Sequence, residues 1–221
     1  MSEKEKEKEI HIGVDEAGRG PVFGSMFVYG VARNKDTIQN DLRDSKRYSK
    51  KRISELGQEL LDDPESTVVG AEITSTNIDE CETLTELSIT AYSAIINELV
   101  ETSSADPGNI KVIVDAFVQD EEKCAQKIQD NMRVKGVEIH AEHEADDTYS
   151  IVSEASILAK HNREEHISEL SRSYPRYEIG SGYPSDQATR EFLAEYYQFN
   201  QKFPKETRMS WSTVDKIREN M

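Results

Sequence analysis

The sequence is poor in cysteine and in long apolar runs, and each shortage excludes a class of protein. No stretch of its 221 residues approaches the length of a membrane span, and the N-terminus has no hydrophobic signal region. The two cysteines, Cys81 and Cys124, lack Cys-x-x-Cys spacing, so neither a zinc site nor a disulfide framework is indicated. Reduced thiols suit a cytoplasm, and we expect a cytoplasmic protein without membrane contact.

Positive charge is also scarce, because 27 Lys and Arg residues stand against 43 Asp and Glu residues, for a net charge of −16. Proteins that bind nucleic acid usually have a basic surface, and this charge would repel DNA at low salt. Two explanations stay open: the protein works at high salt, where the repulsion is screened, or its partner is not a nucleic acid. The basic residues concentrate within residues 43–52, either as a patch for an anionic ligand or as the solvated first turn of a helix. They are Arg43, Lys46, Arg47, Lys50, Lys51 and Arg52.

The apolar periodicity predicts an α/β fold with a central mixed β-sheet flanked by helices. A charged, disordered tail is predicted at residues 1–9. Strands are predicted at 10–14, 26–32, 67–73, 110–115 and 137–140. Helices are predicted at 49–61, 82–100 and 151–170, the last with Val152, Ala155, Leu158 and Ala159 on its buried face. A loop at 175–184 is followed by two short C-terminal segments.

Two carboxylates directly follow the first predicted strand. Residues 10–14 alternate as in a half-buried strand and run into Asp15 and Glu16, then into a Gly-Arg-Gly-Pro turn at 18–21. Carboxylates held together repel each other unless a cation or a proton lies between them. The glycines would let the backbone approach a bulky ligand, and Arg19 offers an anion-binding group. The pattern indicates a divalent-metal site facing a phosphate; the alternative is an ordinary acidic pair at the end of a surface strand.

Two further segments place acids where an α/β fold gathers functional residues. Asp115 ends another predicted strand, and Asp146 precedes a predicted helix. An acid before a helix is often only a cap, and Asp147, being nearer the first turn, is the better candidate for that role. Four convergent carboxylates would instead be ligands for Mg²⁺ or Mn²⁺. Two such ions ~4 Å apart activate a water and stabilise the leaving oxygen in phosphodiester hydrolysis.

Several short blocks along the chain form a specific combination. They are Asp15-Glu16-Ala17-Gly18-Arg19-Gly20-Pro21, Asp44-Ser45-Lys46, Val114-Asp115-Ala116, the Ser-Glu-Ala-Ser-Ile-Leu-Ala-Lys run at 153–160, the Gly-Ser-Gly-Tyr-Pro-Ser-Asp run at 180–186, and Ser210-Trp211. In this order, over residues 10 to 215, they resemble the signature blocks of the ribonuclease HII family. The last two resemble its archaeal branch.

The resemblance implies a ribonuclease H-like catalytic domain at residues 10–171 and a helical extension at 172–221 that contributes to substrate binding. It implies a monomeric endonuclease that hydrolyses the RNA strand of RNA–DNA hybrids and nicks duplex DNA 5′ to embedded ribonucleotides. The products would carry 3′-hydroxyl and 5′-phosphate ends, and the cofactor would be two Mg²⁺ or Mn²⁺ ions.

The resemblance also implies roles for particular residues. The catalytic, metal-binding carboxylates would be Asp15, Glu16, Asp115 and Asp146, the last identified by its distance from the 153–160 block. Gly18, Arg19 and Gly20 would read the ribose 2′-hydroxyl, the group that distinguishes RNA from DNA, and Tyr183 would pack against the next sugar. Lys46 would contact a phosphate.

The sequence departs from the family at Glu154, where a small residue is common, and we expect this acid to face solvent. No Gln-x-x-Leu-x-x-aromatic segment stands near the C-terminus, so the sequence does not support binding to a sliding clamp. The His-Ala-Glu-His run at 140–143 is expected to lie on the surface and not to bind metal. One alternative is ribonuclease HIII, which usually carries an extra N-terminal domain for which we expect no room here. The other is a non-catalytic protein that binds divalent cations or nucleic acid.

Overall fold

The computed structural model describes residues 9–38, 42 and 48–220, and its centre is a five-stranded mixed sheet. The strands are β1 (Ile10–Ala17), β2 (Met26–Asn34), β3 (Ser66–Ile73), β4 (Ile110–Asp115) and β5 (Glu138–Glu142). Their order across the sheet is β3-β2-β1-β4-β5. Strands β1, β2 and β3 pair antiparallel, whereas β4 and β5 run parallel to β1. The predicted α/β class with a mixed central sheet is confirmed.

The register of the two central parallel strands brings their acids to one edge of the sheet. β1 and β4 pair Val14 with Val114. Asp15 and Asp115 directly follow this pair, so they lie side by side at the carboxyl ends of β1 and β4. The carboxyl ends of parallel strands are where open α/β sheets bind ligands.

Helices cover both faces of this sheet. In the described part of the chain they are α1 (Lys50–Leu61), α2 (Ser75–Glu80), α3 (Leu84–Ser103), α4 (Glu121–Asn131), α5 (Ala145–Thr148), α6 (Ser150–Ser173), α7 (Gln187–Asn200) and α8 (Ser212–Glu219). The long helix α6 packs on β1 and β2, and its four predicted core residues are fully buried. Gly13 allows this contact, because a Cβ there would lie 2.2 Å from the Ile151 carbonyl oxygen.

The predicted strands and helices are confirmed with ends shifted by three residues or fewer. β1 continues through Asp15 and Glu16 to Ala17, so both acids lie within the strand. The two C-terminal segments are the helices α7 and α8. Helices α2, α4 and α5 were not predicted. The proposed tail falls almost entirely on residues 1–8, which lie outside the described residues.

The expectation that Glu154 faces solvent is wrong. Its side chain is fully buried in α6, and its Oε2 accepts a hydrogen bond from Nε of Arg33 on β2 at 2.6 Å. Arg33, equally buried, also donates to Asp63 at 2.7 Å. Charges inside a protein are tolerated when they are paired and hydrogen-bonded, and this three-residue network satisfies that condition.

The expectation that Asp147 caps the long helix is also wrong. The chain forms the short helix α5 first, and both Asp146 and Asp147 lie inside it. α6 begins after Tyr149, which is its N-cap residue and makes no side-chain capping hydrogen bond. The physical reason is a residue with positive φ, Glu144, which turns the chain into α5 just before the two aspartates.

The C-terminal helices share a hydrophobic cluster with the segment that follows β1. Phe23 packs edge-on against Tyr174 and Phe192, with ring centroids 5.9 and 5.1 Å away. Val22 and residues of α7 and α8 belong to the same cluster. The division at residue 171 into a catalytic domain and an extension stays a prediction.

None of the helices in the described ranges combines the length and apolarity needed to cross a membrane.

Candidate active site

An acidic cleft lies at the carboxyl ends of β1 and β4. Asp15, Glu16 and Asp115 line this cleft, whose volume is about 410 Å³. Asp146 does not line it and is buried in α5. The cleft lining therefore includes three of the four predicted carboxylates and not the fourth, although Asp15 and Asp146 are buried to a similar degree.

Asp146 is connected to the cleft by hydrogen bonds. Ser156 Oγ donates to Asp146 Oδ2 at 3.3 Å, and the same serine also hydrogen-bonds Asp15. The backbone N–H of Ala145 donates to Asp115 Oδ1 at 2.9 Å, which fixes the start of α5 to the end of β4. The acids of β1, β4 and α5 consequently belong to one network.

The ionised form of Asp15 is disfavoured by its surroundings. Burial, followed by the negative charge of Asp115 and then by that of Asp146, raises the pKa of Asp15 to about 8, although hydrogen bonds from Ser156 and from the backbone of Glu16 oppose the shift. A divalent cation among these oxygens would favour the charged form. Mg²⁺ and Mn²⁺ prefer such an all-oxygen donor set, so the residues fit these ions.

Glu16 is engaged by other side chains of the cleft. Its Oε1 accepts a hydrogen bond from Arg19 Nη1 at 2.9 Å, and its Oε2 accepts one from Ser88 Oγ at 3.1 Å. Arg19 also donates to Ser88 and lies over the ring of Phe117, 5.3 Å from its centroid. Across residues 9–38, 42 and 48–220, no three Asp, Glu, His or Cys side chains form a preformed metal cage. A cation would have to compete with Arg19 for Glu16.

The Gly-Arg-Gly turn at 18–20 forms one wall of the cleft and is held through its carbonyl groups. Gly18 has φ +88°, which a residue with a side chain rarely adopts. The guanidinium of Arg208, fully buried, donates to the carbonyls of Gly18 at 2.6 Å, Arg19 at 2.9 Å and Gly24 at 3.0 Å. Burial, then the charge of Arg163, lowers the pKa of Arg208 to about 10, so it stays charged at neutral pH.

Tyr183 faces this turn from the 180–186 loop. Its side chain is 37% exposed, and a Cβ on Gly20 would lie 3.5 Å from its ring. The guanidinium of Arg163 lies over the Tyr183 ring, 4.9 Å from the ring centroid. The loop is anchored because the Gly182 carbonyl accepts hydrogen bonds from the backbone N–H groups of Val22 and Phe23. Tyr183 is thus an exposed aromatic on a fixed backbone, and its contact with a sugar stays a prediction.

Some basic residues line the cleft, and others lie on α1. Lys160, Arg163 and Arg19 line the cleft, and Lys160 Nζ lies 3.6 Å from Asp146 Oδ2. Lys46 falls outside the described residues, as do Arg43 and Arg47. The rest of the predicted basic segment lies on α1 and pairs with acids there and on α6, as when Lys50 contacts Glu164 at 2.7 Å.

Sequence reasoning missed several residues of this site, including Arg208, Ser88 and Tyr92. Arg208 stands two residues before the Ser210-Trp211 block, and this proximity was the available signal. Trp211 belongs to the same support, because its Nε1 donates to the Gly20 carbonyl at 3.2 Å. Within the described residues, the His-Ala-Glu-His run forms no metal group; His140 contacts Glu142 at 3.0 Å on the surface.

Comparisons with known proteins agree with this geometry. The family model described as Ribonuclease HII matches residues 12–214. A ribonuclease HII of Methanococcus maripaludis strain C5 is 38% identical over 215 residues, which cover 95% of this chain and 87% of the relative.

Two solved structures are similar over nearly the whole fold. The crystal structure of ribonuclease H2 from Pyrococcus horikoshii OT3 matches with a TM-score of 0.83 and 34% identity, covering 96% of this chain and 98% of the other. The ribonuclease HII of Archaeoglobus fulgidus, solved in a complex with PCNA, matches with a TM-score of 0.80 and 32% identity, covering 94% and 96%.

Proposed function

The chain belongs to the ribonuclease HII family, and from this membership we propose that Asp15, Glu16, Asp115 and Asp146 form its active centre. As a member, it is a divalent-metal-dependent endoribonuclease that degrades the RNA strand of RNA–DNA hybrids. The observation that carries the assignment of the centre is the β1–β4 register. It brings Asp15 and Asp115 to the same edge of the sheet, in a setting that disfavours the charge of Asp15 unless a cation is present.

We propose that two ions, Mg²⁺ or Mn²⁺, are bound when substrate is present. Such ions activate a water and neutralise charge on the scissile phosphate. Asp15, Glu16 and Asp115 would hold these ions through their carboxylate oxygens, and Glu16 would give up its contact with Arg19 to do so. Asp146 is oriented by Ser156, and Lys160 limits the negative charge around it. Arg19, once released, is free to donate to a phosphate.

Recognition of ribose is assigned to the Gly18–Gly20 turn and Tyr183. The turn presents backbone groups without side-chain bulk, which suits a 2′-hydroxyl that both donates and accepts hydrogen bonds. Arg208 keeps the turn in one conformation, and Tyr183 offers a ring face for a sugar. Membership of the family carries the finer proposal that the enzyme nicks duplex DNA on the 5′ side of an embedded ribonucleotide and leaves 3′-hydroxyl and 5′-phosphate ends.

The proposed working form is a cytoplasmic monomer bound to its nucleic-acid substrate. A sliding clamp is a second proposed partner, because the A. fulgidus relative is in a complex with PCNA. Size-exclusion chromatography with light scattering, with and without an archaeal clamp, tests both points. A single peak of about 25 kDa for the protein alone, shifted by the clamp, supports them. A dimer, or an unshifted peak, contradicts the corresponding point.

The experiment for the active centre is cleavage of a labelled RNA–DNA hybrid by the wild type, Asp115→Asn and Glu138→Gln. Glu138 is an exposed acid on β5 and serves as the control. We expect the wild type and Glu138→Gln to cleave with Mg²⁺ or Mn²⁺ and to stop in EDTA. Asp115→Asn should be inactive although folded, because a ligand charge is missing. Full activity of Asp115→Asn would refute the assignment, and a wild type that binds hybrid without cleaving it would favour a non-catalytic binding protein.

A further inference from the structure

Tyr92, on α3, lines the acidic cleft together with Asp15, Glu16 and Asp115. Its side chain is fully buried, and its ring packs edge-on against Phe117 with the centroids 4.8 Å apart. In the part of the chain that the structure describes, its hydroxyl has no hydrogen-bond partner. The sequence thus places a polar group in the cleft where phenylalanine would fill the same space.

An unpaired buried hydroxyl destabilises a fold, because it has lost its contacts with water without replacing them. Proteins satisfy nearly all such groups, so each exception requires an explanation. At Tyr92 the carboxylates of Glu16, Asp15 and Asp115 add to the effect of burial and raise the pKa well above its usual value. The phenol therefore keeps its proton and can act as a hydrogen-bond donor.

The face of α3 that carries Tyr92 already supplies hydroxyl groups to Arg19 and Glu16, which line the same cleft. Thr85, Ser88 and Tyr92 are spaced by three and four residues, so they lie on one side of the helix. Thr85 accepts a hydrogen bond from Arg19, and Ser88 donates to Glu16. Tyr92 is one turn further along the same face and lines the cleft beside the strand ends.

We propose that Tyr92 is a positioning residue for the divalent cation, its hydroxyl donating a hydrogen bond to the shell of water and carboxylate oxygens around that ion. The inference rests on the proposed function, which supplies the ion. Donors that orient the ligands of a metal change its affinity about 10- to 100-fold when they are removed. Removing the hydroxyl should weaken cation binding while relieving the unpaired group in the protein without metal.

The test compares Tyr92→Phe with a matched control, Tyr174→Phe. Tyr174 lies outside the cleft, and its hydroxyl donates to Glu206 at 2.6 Å. Mn²⁺ binding is measured by electron paramagnetic resonance, and the melting temperature in EDTA by calorimetry. For Tyr92→Phe we expect about tenfold weaker Mn²⁺ binding and a melting temperature equal to the wild type or roughly 2 °C higher. For Tyr174→Phe we expect unchanged Mn²⁺ binding and a lower melting temperature.

Cleavage kinetics give a second measurement, one that would not change if Tyr92 had a purely structural role. The Mg²⁺ concentration for half-maximal cleavage should rise about tenfold for Tyr92→Phe, with kcat largely recovered at saturating Mg²⁺. The inference about Tyr92 would be overturned if Tyr92→Phe bound Mn²⁺ as tightly as the wild type or had a lower melting temperature in EDTA. Cleavage by the wild type would still support the proposed function in that case. A wild type that neither binds Mn²⁺ nor cleaves would overturn both.

Discussion

Replacing Arg208 by lysine tests whether the C-terminal part of the chain sets the conformation of the ribose-reading turn. Arg208 donates to three backbone carbonyls, those of Gly18, Arg19 and Gly24, and is fully buried. Lysine keeps a cationic donor but lacks the planar fork that reaches all three. Its ammonium would also be subject to the burial and the Arg163 charge that lower the pKa of Arg208, and would lose its proton more easily.

The size of the effect follows from the number of hydrogen bonds lost. A hydrogen bond involving a charged group contributes about 1.5–3 kcal/mol, so losing two of the three should reduce the free energy of unfolding by roughly 3 kcal/mol. The freed Gly18 and Arg19 carbonyls would let the turn shift, and a misplacement of about 1 Å can reduce a rate 100-fold. We therefore expect Arg208→Lys to cleave at a single ribonucleotide roughly 10- to 100-fold more slowly.

The assay measures kcat/KM on a duplex with one ribonucleotide and on a fully RNA–DNA hybrid, and stability by urea denaturation. The matched control is Arg190→Lys, since Arg190 lies exposed on α7 and its guanidinium donates to the Pro184 carbonyl instead of the turn at 18–20. Arg190→Lys should keep both rates. The reasoning is refuted if Arg208→Lys loses stability as expected but cleaves both substrates at wild-type rates.

Three further perturbations have defined outcomes. Glu154→Leu should lower the free energy of unfolding by about 3 kcal/mol, because the buried Arg33 loses one of the two acids that pair with it. Adding Arg33→Met should recover most of this loss, and equal losses in the single and double variants would contradict the prediction. Hydrogen bonds from the Ser181 side chain and backbone hold the pKa of Asp186 below its usual 3.8. The ionised Asp186 therefore stabilises the fold at pH values above 3.8, and this stabilisation is lost as the pH falls through the pKa of the folded state. Urea titrations should give Asp186→Asn a lower free energy of unfolding than the wild type at about pH 5, and the difference should shrink towards about pH 2. A difference that does not change with pH would contradict this prediction. Tyr183→Ala should reduce kcat/KM at a ribonucleotide about tenfold, and Tyr183→Phe should retain it if the ring face is what contacts the sugar.

The parts of the site that the sequence predicts are those with a local signature. The alternation of residues 10–14 and the apolar run before Asp115 identify two buried strands, and their parallel pairing then brings Asp15 and Asp115 together. The buried face of α6 has the same kind of signature. Helix α4 has few core residues, with Cys124 and Ile128 buried among polar neighbours, so its periodicity is too weak to detect.

The parts that escape prediction depend on partners far away in the sequence. Glu154 pairs with Arg33, 121 positions away, and without that partner an acid in an acid-rich chain is expected to face solvent. Arg208 bonds carbonyls 184 to 190 positions away. Neither contact leaves a pattern in the neighbouring residues, so only the three-dimensional structure reveals them.

The central claim is that the acidic cleft and the Gly18–Gly20 turn act together, the first cutting and the second selecting ribose. A labelled DNA duplex with one ribonucleotide, beside an all-DNA duplex, tests it most directly in Mg²⁺, Mn²⁺ or EDTA across a KCl series. We expect metal-dependent nicking on the 5′ side of the ribonucleotide, with the all-DNA duplex intact and activity retained at high salt. Cleavage of long hybrids alone, or nicking that persists in EDTA, would contradict it.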